Sequence, residues 1–330
     1  MDDSLEAPRG AAHSDRGPAR SGRGAHSDRG AAGNDRVGPV DPRLSLSVPG
    51  LGELPPVLRL EDLVTRVLAP NPGLWALDGT NTYVVCAPGA AEAAVVDPGP
   101  ADAGHLARVE SALTGLGARC RWILVTHHHI DHAEAALPWA ARLGATVAAG
   151  SEAVAGPRGR LLADGDRVEL AGASVDVVGT PGHCGDHLAF RLESGTVLVG
   201  DHILGRGTSV ITYPEGDLLA YLDSLRRVHD LGPDALYPGH GPEMRDDPSA
   251  VIEYYLAHRQ FREQQILAAL SGGPIGIRGI VEQIYVRTDR GLLGAAEQST
   301  RATLHKMLAE GTVAIGRDDV VSLLGQREQP

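Results

Sequence analysis

The segment THHHIDH, Thr126–His132, sets four of the chain's 14 histidines within seven positions, a density that random clustering does not readily produce. Trp122–Val125 just before it is a short apolar run that reads as a strand ending near Thr126. In the extended turn that follows, His127 and His129 project to one side and His128 points elsewhere, because alternate residues of extended backbone face the same way. The chain then enters a helix whose first residues include Asp131 and His132. One short loop thus offers two imidazoles toward one point, and a carboxylate with an imidazole toward a neighbouring point. That arrangement suits two metal ions about 3.5–4 Å apart.

Four further ligand-type residues lie just beyond the ends of other apolar strands. Asp97 closes AAVVD, His183 follows Thr180-Pro181-Gly182, Asp201 follows Val197–Gly200, and His240 sits in YPGHG after Leu236. Strand ends on a shared sheet edge are where α/β proteins assemble their sites. The surrounding pattern is of that class. Leu106, Val109, Leu113 and Leu116 recur at helical spacing between two strands, a βαβ unit. Strands at Val168–Leu170, Val175–Val178, Leu188–Leu192 and Thr196–Val199, separated by glycine turns, add an antiparallel part. Asp217 opens a helix carrying Leu218, Leu219, Leu222 and Leu225, and Asp247-Pro248 starts a longer one reaching about Leu270.

With 330 residues, 42% of them hydrophobic, the chain can bury a sizeable core in one large domain or two ordinary ones. Its three cysteines form neither a disulfide framework nor a C-x-x-C zinc ribbon. No run of about 18 apolar residues exists, so no membrane span is expected. A net charge of −12 argues against a partner such as extended duplex nucleic acid, and 4% aromatic content leaves few platforms for stacking single strands. The charge is uneven: residues 45–257 hold 27 acidic against 14 basic side chains, or −13.

The first 44 residues are Gly, Ala, Ser, Pro, Asp and Arg with almost no large apolar side chain, and we read 1–44 as a disordered tail. AHSDRG occurs twice there, a low-complexity duplication. Seven acidic residues offset seven arginines, unlike a transit peptide, so a cytoplasmic location is expected. Residues 45–257 form the expected catalytic domain. Beyond it, 258–330 contain two helical stretches, Ile277–Val286 and Leu292–Glu310, then a hairpin of Thr312–Ile315 with Val320–Leu324, the order of a winged helix. Glu297 and Glu310 on the would-be recognition helix make dimerisation or a lid at least as good a reading as nucleic-acid contact, with a homodimer one expected assembly.

The five motifs in order resemble the metallo-β-lactamase fold superfamily of binuclear hydrolases over roughly residues 60–257. The resemblance implies an αββα sandwich with the site at one edge. It implies that His127, His129 and His183 hold one metal, that Asp131, His132 and His240 hold the other, and that Asp201 bridges them. Asp97 would support the ligands by hydrogen bonds. NPGLWALDGTNTYVV (Asn71–Val85), TPGHCGDH (Thr180–His187), GDHILG (Gly200–Gly205), YPGHGP (Tyr237–Pro242) and HRQFREQQIL (His258–Leu267), with the winged-helix tail, are more narrowly similar to the β-lactamase-like-protein-two branch. That branch includes a single-strand endoribonuclease. Cys184 stands where a Thr is usual there, and His202 where a Cys is usual.

What the resemblance implies chemically is two Zn²⁺ ions, with iron or manganese as alternatives, lowering the pKa of a shared water to about 7 so that a bridging hydroxide is the nucleophile. Asp131 and His187 are the expected catalytic side chains, His187 as proton donor to the leaving group or as a structural neighbour. Two substrate classes remain open: a phosphodiester in single-stranded RNA, or a small thioester, lactone or ester, for which an acidic surface poses less difficulty. A mononuclear iron oxygenase is a third reading. Cys184 reads as a packed thiol rather than a nucleophile.

Overall fold

The computed structural model describes residues 38–46 and 49–325. Seven strands form a first sheet in sequence order: β1 (Val57–Arg59), β2 (Val64–Leu68), β3 (Asn81–Val85), β4 (Glu92–Val96), β5 (Arg119–Val125), β6 (Thr146–Ala149) and β7 (Arg160–Leu161). β1 to β4 pair antiparallel and β4 to β7 parallel. Parallel neighbours need a crossover, and the helices α1 (Ala103–Leu116), α2 (Ile130–Ala133), α3 (Ala136–Leu143) and α4 (Glu152–Ala155) lie in those connections.

A second sheet, in the order β12-β11-β10-β9-β8, uses β8 (Arg167–Leu170), β9 (Ala173–Gly179), β10 (Leu188–Leu192), β11 (Thr196–Gly200) and β12 (Ala235–Pro238). Only β11 and β12 pair in parallel, and α5 (Leu218–Asp230) crosses between them. The inner faces of both sheets meet in one core, in which Tyr83, Val85 and Leu124 pack with Val175, Phe190 and Leu198. Helices cover the outer faces. Val109, Leu113 and Trp139 seal the first sheet, and Leu218, Tyr221, Leu225 and Val251 seal the second. This is the αββα sandwich that the motifs implied.

Helix boundaries follow local chemistry. Asp102 accepts from His105 N at 2.6 Å to start α1, and Gly117 ends it in the left-handed conformation. Asp217 caps α5 through Ala220 N, and Asp247 with Pro248 starts α6 (Pro248–Leu270).

The expected domain boundaries need two changes. Residues 38–44, read as part of the disordered tail, include Arg43, which is 5% exposed, donates to the Gly207 carbonyl at 2.6 Å and lies over the rings of Tyr254 and Tyr255. One arginine of the seven in that stretch carries no signal of the aromatic pair that receives it. Residues 1–37 lie outside the described residues. The expected break between 257 and 258 falls inside α6, whose Val251, Ile252 and Tyr255 belong to the sandwich core and whose Ile266 and Leu270 belong to the next one. A continuous helical pattern does not reveal that its two halves serve different cores.

That next core joins α6 to α7 (Ile277–Ile284), α8 (Leu293–Ala309) and a three-stranded sheet of β13 (Ile275–Gly276), β15 (Val320–Leu323) and β14 (Val313–Ile315). It is the expected winged helix. Its α8 is turned into the catalytic domain. Ala302 packs in the core beneath the second sheet, Ser299 Oγ accepts from Ile211 N at 3.3 Å, and His305 stacks on Tyr213. Among the described residues no helix is long and apolar enough to cross a membrane.

Candidate metal centre

Every residue singled out in the sequence as a ligand follows a strand of the two sheets or begins the helix beyond it. β5 runs into Thr126 and His127–His129, and His132 sits in α2; His183 follows β9, Asp201 follows β11 and His240 follows β12. Opposite sheets of the sandwich are thereby joined at one edge.

Two groups form. In the first, His129 Nδ1 lies 3.0 Å from His127 Nε2 and 3.0 Å from His183 Nε2. In the second, His240 Nε2 lies 3.2 Å from His132 Nε2 and 3.2 Å from Asp131 Oδ2. Asp201 Oδ1 stands 3.5 Å and 3.4 Å from those two imidazole nitrogens, and Asp201 also groups with His127. All seven expected ligands are brought together.

In four of the five imidazoles the remaining nitrogen fixes the tautomer. Thr126 Oγ1 donates to Asp97 Oδ2, so at 3.0 Å it can only accept from His127 Nδ1. His183 Nδ1 donates to the Val210 carbonyl at 2.6 Å, His132 Nδ1 to Asp97 Oδ2 at 2.9 Å, and His240 Nδ1 to the Gly79 carbonyl at 3.2 Å. Four Nε2 atoms therefore converge as the cation-accepting positions of their rings. Asp201 Oδ1 is buried and has no hydrogen-bond partner. Lone pairs and a carboxylate oxygen held this close repel unless a cation stands among them, so the donor set fits metal ions, and its outer partners are those that orient metal-ligating histidines.

The electrostatics agree. Burial lowers His127, and takes His183 down to about 4, which keeps both imidazoles neutral as ligands must be. Burial alone would lower His240 as well, but Asp201 and Asp131 outweigh it and push it up to about 9. Burial disfavours ionised Asp201, yet His240 and His132 hold it well below the usual carboxylate range. Without metal, this half of the site gathers protons in place of cations.

Asp97 has the supporting part expected of it. It accepts from Thr126 N and Thr126 Oγ1 at 2.8 Å each and fixes His132, at a backbone φ of 50° that few non-glycine residues adopt. Gly239 has a steric part: a Cβ there would lie 2.5 Å from Asp201 Oδ1 and 2.7 Å from His132 Cε1. The loop before β3 borders the site, since Thr80 Oγ1 donates to the Asp131 carbonyl at 3.0 Å.

His187 lies beside the first group of donors. Its ring lies 5.0 Å from that of His127, Nδ1 pairs with Thr180 Oγ1 at 2.8 Å, and the residue is 1% exposed. Burial, reinforced by His202 and His183, keeps it neutral. Enclosed in this way, its ring packs beside that of His127. His128 faces away, between Asp186 and Glu215 at 2.8 Å each. Cys184 is buried against Asp186, and burial raises its thiol, so it is no nucleophile. The carbonyls of Gly79 and Val210 were missed in the sequence, where nothing sets one carbonyl apart from another.

The metallo-β-lactamase superfamily model matches residues 75–240, and the β-lactamase-associated winged-helix model matches residues 277–319. The chain belongs to the metallo-β-lactamase superfamily and is a metal-dependent hydrolase of that class. It is 32% identical over 285 residues to the β-lactamase-like protein 2 homolog of Drosophila melanogaster, covering 80% of this chain and 94% of that one. It is 35% identical over 227 residues to the atrochrysone carboxyl ACP thioesterase of Aspergillus fumigatus, covering 66% and 68%. A metallo-β-lactamase family protein of Thermus thermophilus superimposes with a TM-score of 0.65 at 27% identity, covering 82% of this chain and 99% of that one. A β-lactamase domain protein of Burkholderia ambifaria shares the fold at a TM-score of 0.70 and 22% identity, covering 85% and 96%.

Proposed function

We propose that the protein is a binuclear zinc hydrolase that cleaves a small acyl substrate, a thioester foremost. The observation that carries this reading is the division of the converging donors into His127, His129, His183 on one side and Asp131, His132, His240 on the other, with the partnerless Asp201 oxygen between. Imidazole and carboxylate donors suit zinc, with iron or manganese as alternatives. Two such ions supply Lewis acidity, which polarises a carbonyl and makes water acidic near pH 7.

The chain's own residues do the rest. Asp97 and the carbonyls of Gly79 and Val210 hold three imidazoles in the tautomer that presents Nε2. Asp131, the most exposed carboxylate of the group at 30%, can orient water at the open side. The two sheets bury the far side, which keeps bulk water from competing for these groups.

An acyl substrate is preferred to RNA for two reasons. The segment that builds the site carries −13, which repels a polyanion everywhere but at the metals. The helix α8, which would read nucleic acid, packs against the catalytic domain instead. The thioesterase named among the relatives supports the choice.

Metal analysis of the purified protein followed by parallel assays on acyl thioesters, lactones and unstructured RNA tests the reading. Zinc near two per chain with thioester turnover is expected. RNA cleavage without thioester turnover would replace it with the phosphodiesterase reading, and iron alone with oxygen consumption would replace it with the oxygenase.

A further inference from the structure

We propose that the cleft between the catalytic domain and the winged helix is the pocket for the non-reacting part of the substrate, and that it selects a flat apolar group bearing an acid. The proposal rests on the acyl-hydrolase reading above and deepens it. It also gives the winged helix a role, as one wall of a substrate pocket.

The cleft has a volume of about 280 Å³. Leu74, Trp75 and Leu77 line it from the catalytic domain, and Tyr285, Leu292 and Ala296 from the winged helix. Its catalytic walls are the two loops that steady the metal centre. The loop holding Trp75 ends in Gly79, whose carbonyl fixes His240. The loop from Leu204 to Val210, also lining the cleft, ends in the carbonyl that fixes His183. A group seated there touches Val210, whose carbonyl orients His183, and Leu77, two residues before the Gly79 that orients His240.

Its charge is opposite to that of the surrounding domain. The charged residues lining it are Arg206, Arg259 and Arg262, with no carboxylate among the lining residues. Arg206 already has Asp78 at 3.7 Å. Among the described residues, Arg259 and Arg262 pair with no carboxylate: Arg259, 6% exposed, donates to the Ser209 carbonyl and lies over Tyr221, and Arg262 donates to Gln265 Oε1 at 2.8 Å and lies 4.6 Å over the Tyr285 ring. The Nε atoms of both, and Nδ1 of the adjoining His258, are buried without partners. A cation–π contact offsets only part of the cost of enclosing a guanidinium. A ligand acid would supply the missing anion. Trp75, 56% exposed at the rim, supplies a flat apolar surface for the remainder.

The test is titration calorimetry of the full-length, metal-loaded protein with 2-naphthoate, its neutral analogue 2-naphthalenemethanol, and a short single-stranded oligoribonucleotide. Naphthoate should bind about ten-fold more tightly than the alcohol, as a charge-assisted contact predicts. Trp75→Ala and Arg262→Gln should each weaken naphthoate about ten-fold with metal content and melting temperature unchanged. Leu292→Trp, which fills the cleft, should abolish binding even if Arg262→Gln proves unstable. Equal affinity for acid and alcohol, indifference to all three variants, or tighter binding of the oligoribonucleotide would overturn the proposal. So would naphthoate binding that disappears on chelation yet ignores Arg262→Gln, because the acid would then sit on the metals. Cleft binding without turnover of any thioester would defeat the reaction reading and leave the pocket standing. Thioester turnover with affinity and KM unmoved by the variants would do the reverse.

Discussion

His132 Nε2 and His240 Nε2 face each other at 3.2 Å, while the other nitrogen of each ring already donates, to Asp97 and to the Gly79 carbonyl. Two lone pairs at that distance hold together only around a positive charge. Cation binding is therefore part of the stability of this edge of the sandwich, as well as of its chemistry.

Removing metal with a chelator should accordingly lower the melting temperature, and added zinc should restore it. At a free ion concentration about 1,000 times Kd the linkage is worth about 4 kcal/mol, or a shift on the order of 10 °C in a domain of this size. Calorimetric scans that superimpose with and without chelator would contradict the assignment of the donor set.

Asp97 offers a cleaner dissection. Asp97→Asn keeps a side chain tolerant of the positive φ and retains an acceptor, so the fold should persist while metal affinity falls roughly 10–100-fold. Asp97→Ala should lose stability as well, by about 3 kcal/mol, since Thr126 and His132 are left without their buried acceptor. Competition with a chromogenic chelator and denaturant titration measure the two effects. Equal affinity in wild type and Asp97→Asn would remove its supporting role.

Gly239→Ala tests the crowding around Asp201. The added methyl would lie 2.5 Å from Asp201 Oδ1, so that carboxylate or His132 must move. We expect a folded protein whose metal content falls from two ions toward one, with activity down on the order of 100-fold. Full occupancy in the variant would show that the ligands are more pliant than the geometry indicates.

His105 gives a pH dependence separate from the ligands. Its Nε2 donates to Thr82 Oγ1 at 2.8 Å and its Nδ1 is buried without a partner; burial, then Arg108, lowers it to about 4. The unfolded chain takes up the proton at about 6.5 and the folded one does not, so stability is complete above that pH and declines as pH falls toward 4. The loss is roughly 2–3 kcal/mol by the bottom of that window. His105→Gln keeps a donor and should flatten this part of the profile relative to wild type. Parallel denaturation midpoints for the two proteins from pH 7 to 4 would refute it.

Most of the candidate site was legible in the order of residues. Ligand types placed one after another behind apolar strands, and four histidines in one turn, are local features, and strand ends on a common sheet edge must meet if the fold forms at all. The same locality gave the helices of the winged-helix segment, because helical spacing and hairpin turns act over a few positions. The packing of His187 beside His127 was not legible, because the loop's path over the four residues beyond His183 is not recorded in spacing.

What the sequence by itself determined was the set of candidate donors and the layered fold, since side-chain chemistry and periodicity are properties of short segments. Only the tertiary structure decided which nitrogen each histidine presents, because the carbonyl that fixes His240 is 161 residues away and the one that fixes His183 is 27 away. Every residue carries such a carbonyl, and packing alone selects one. The seat of Arg43 on Tyr254 and Tyr255, the burial of α8 against the catalytic domain, and the arginine-lined cleft between the two cores were decided in the same way.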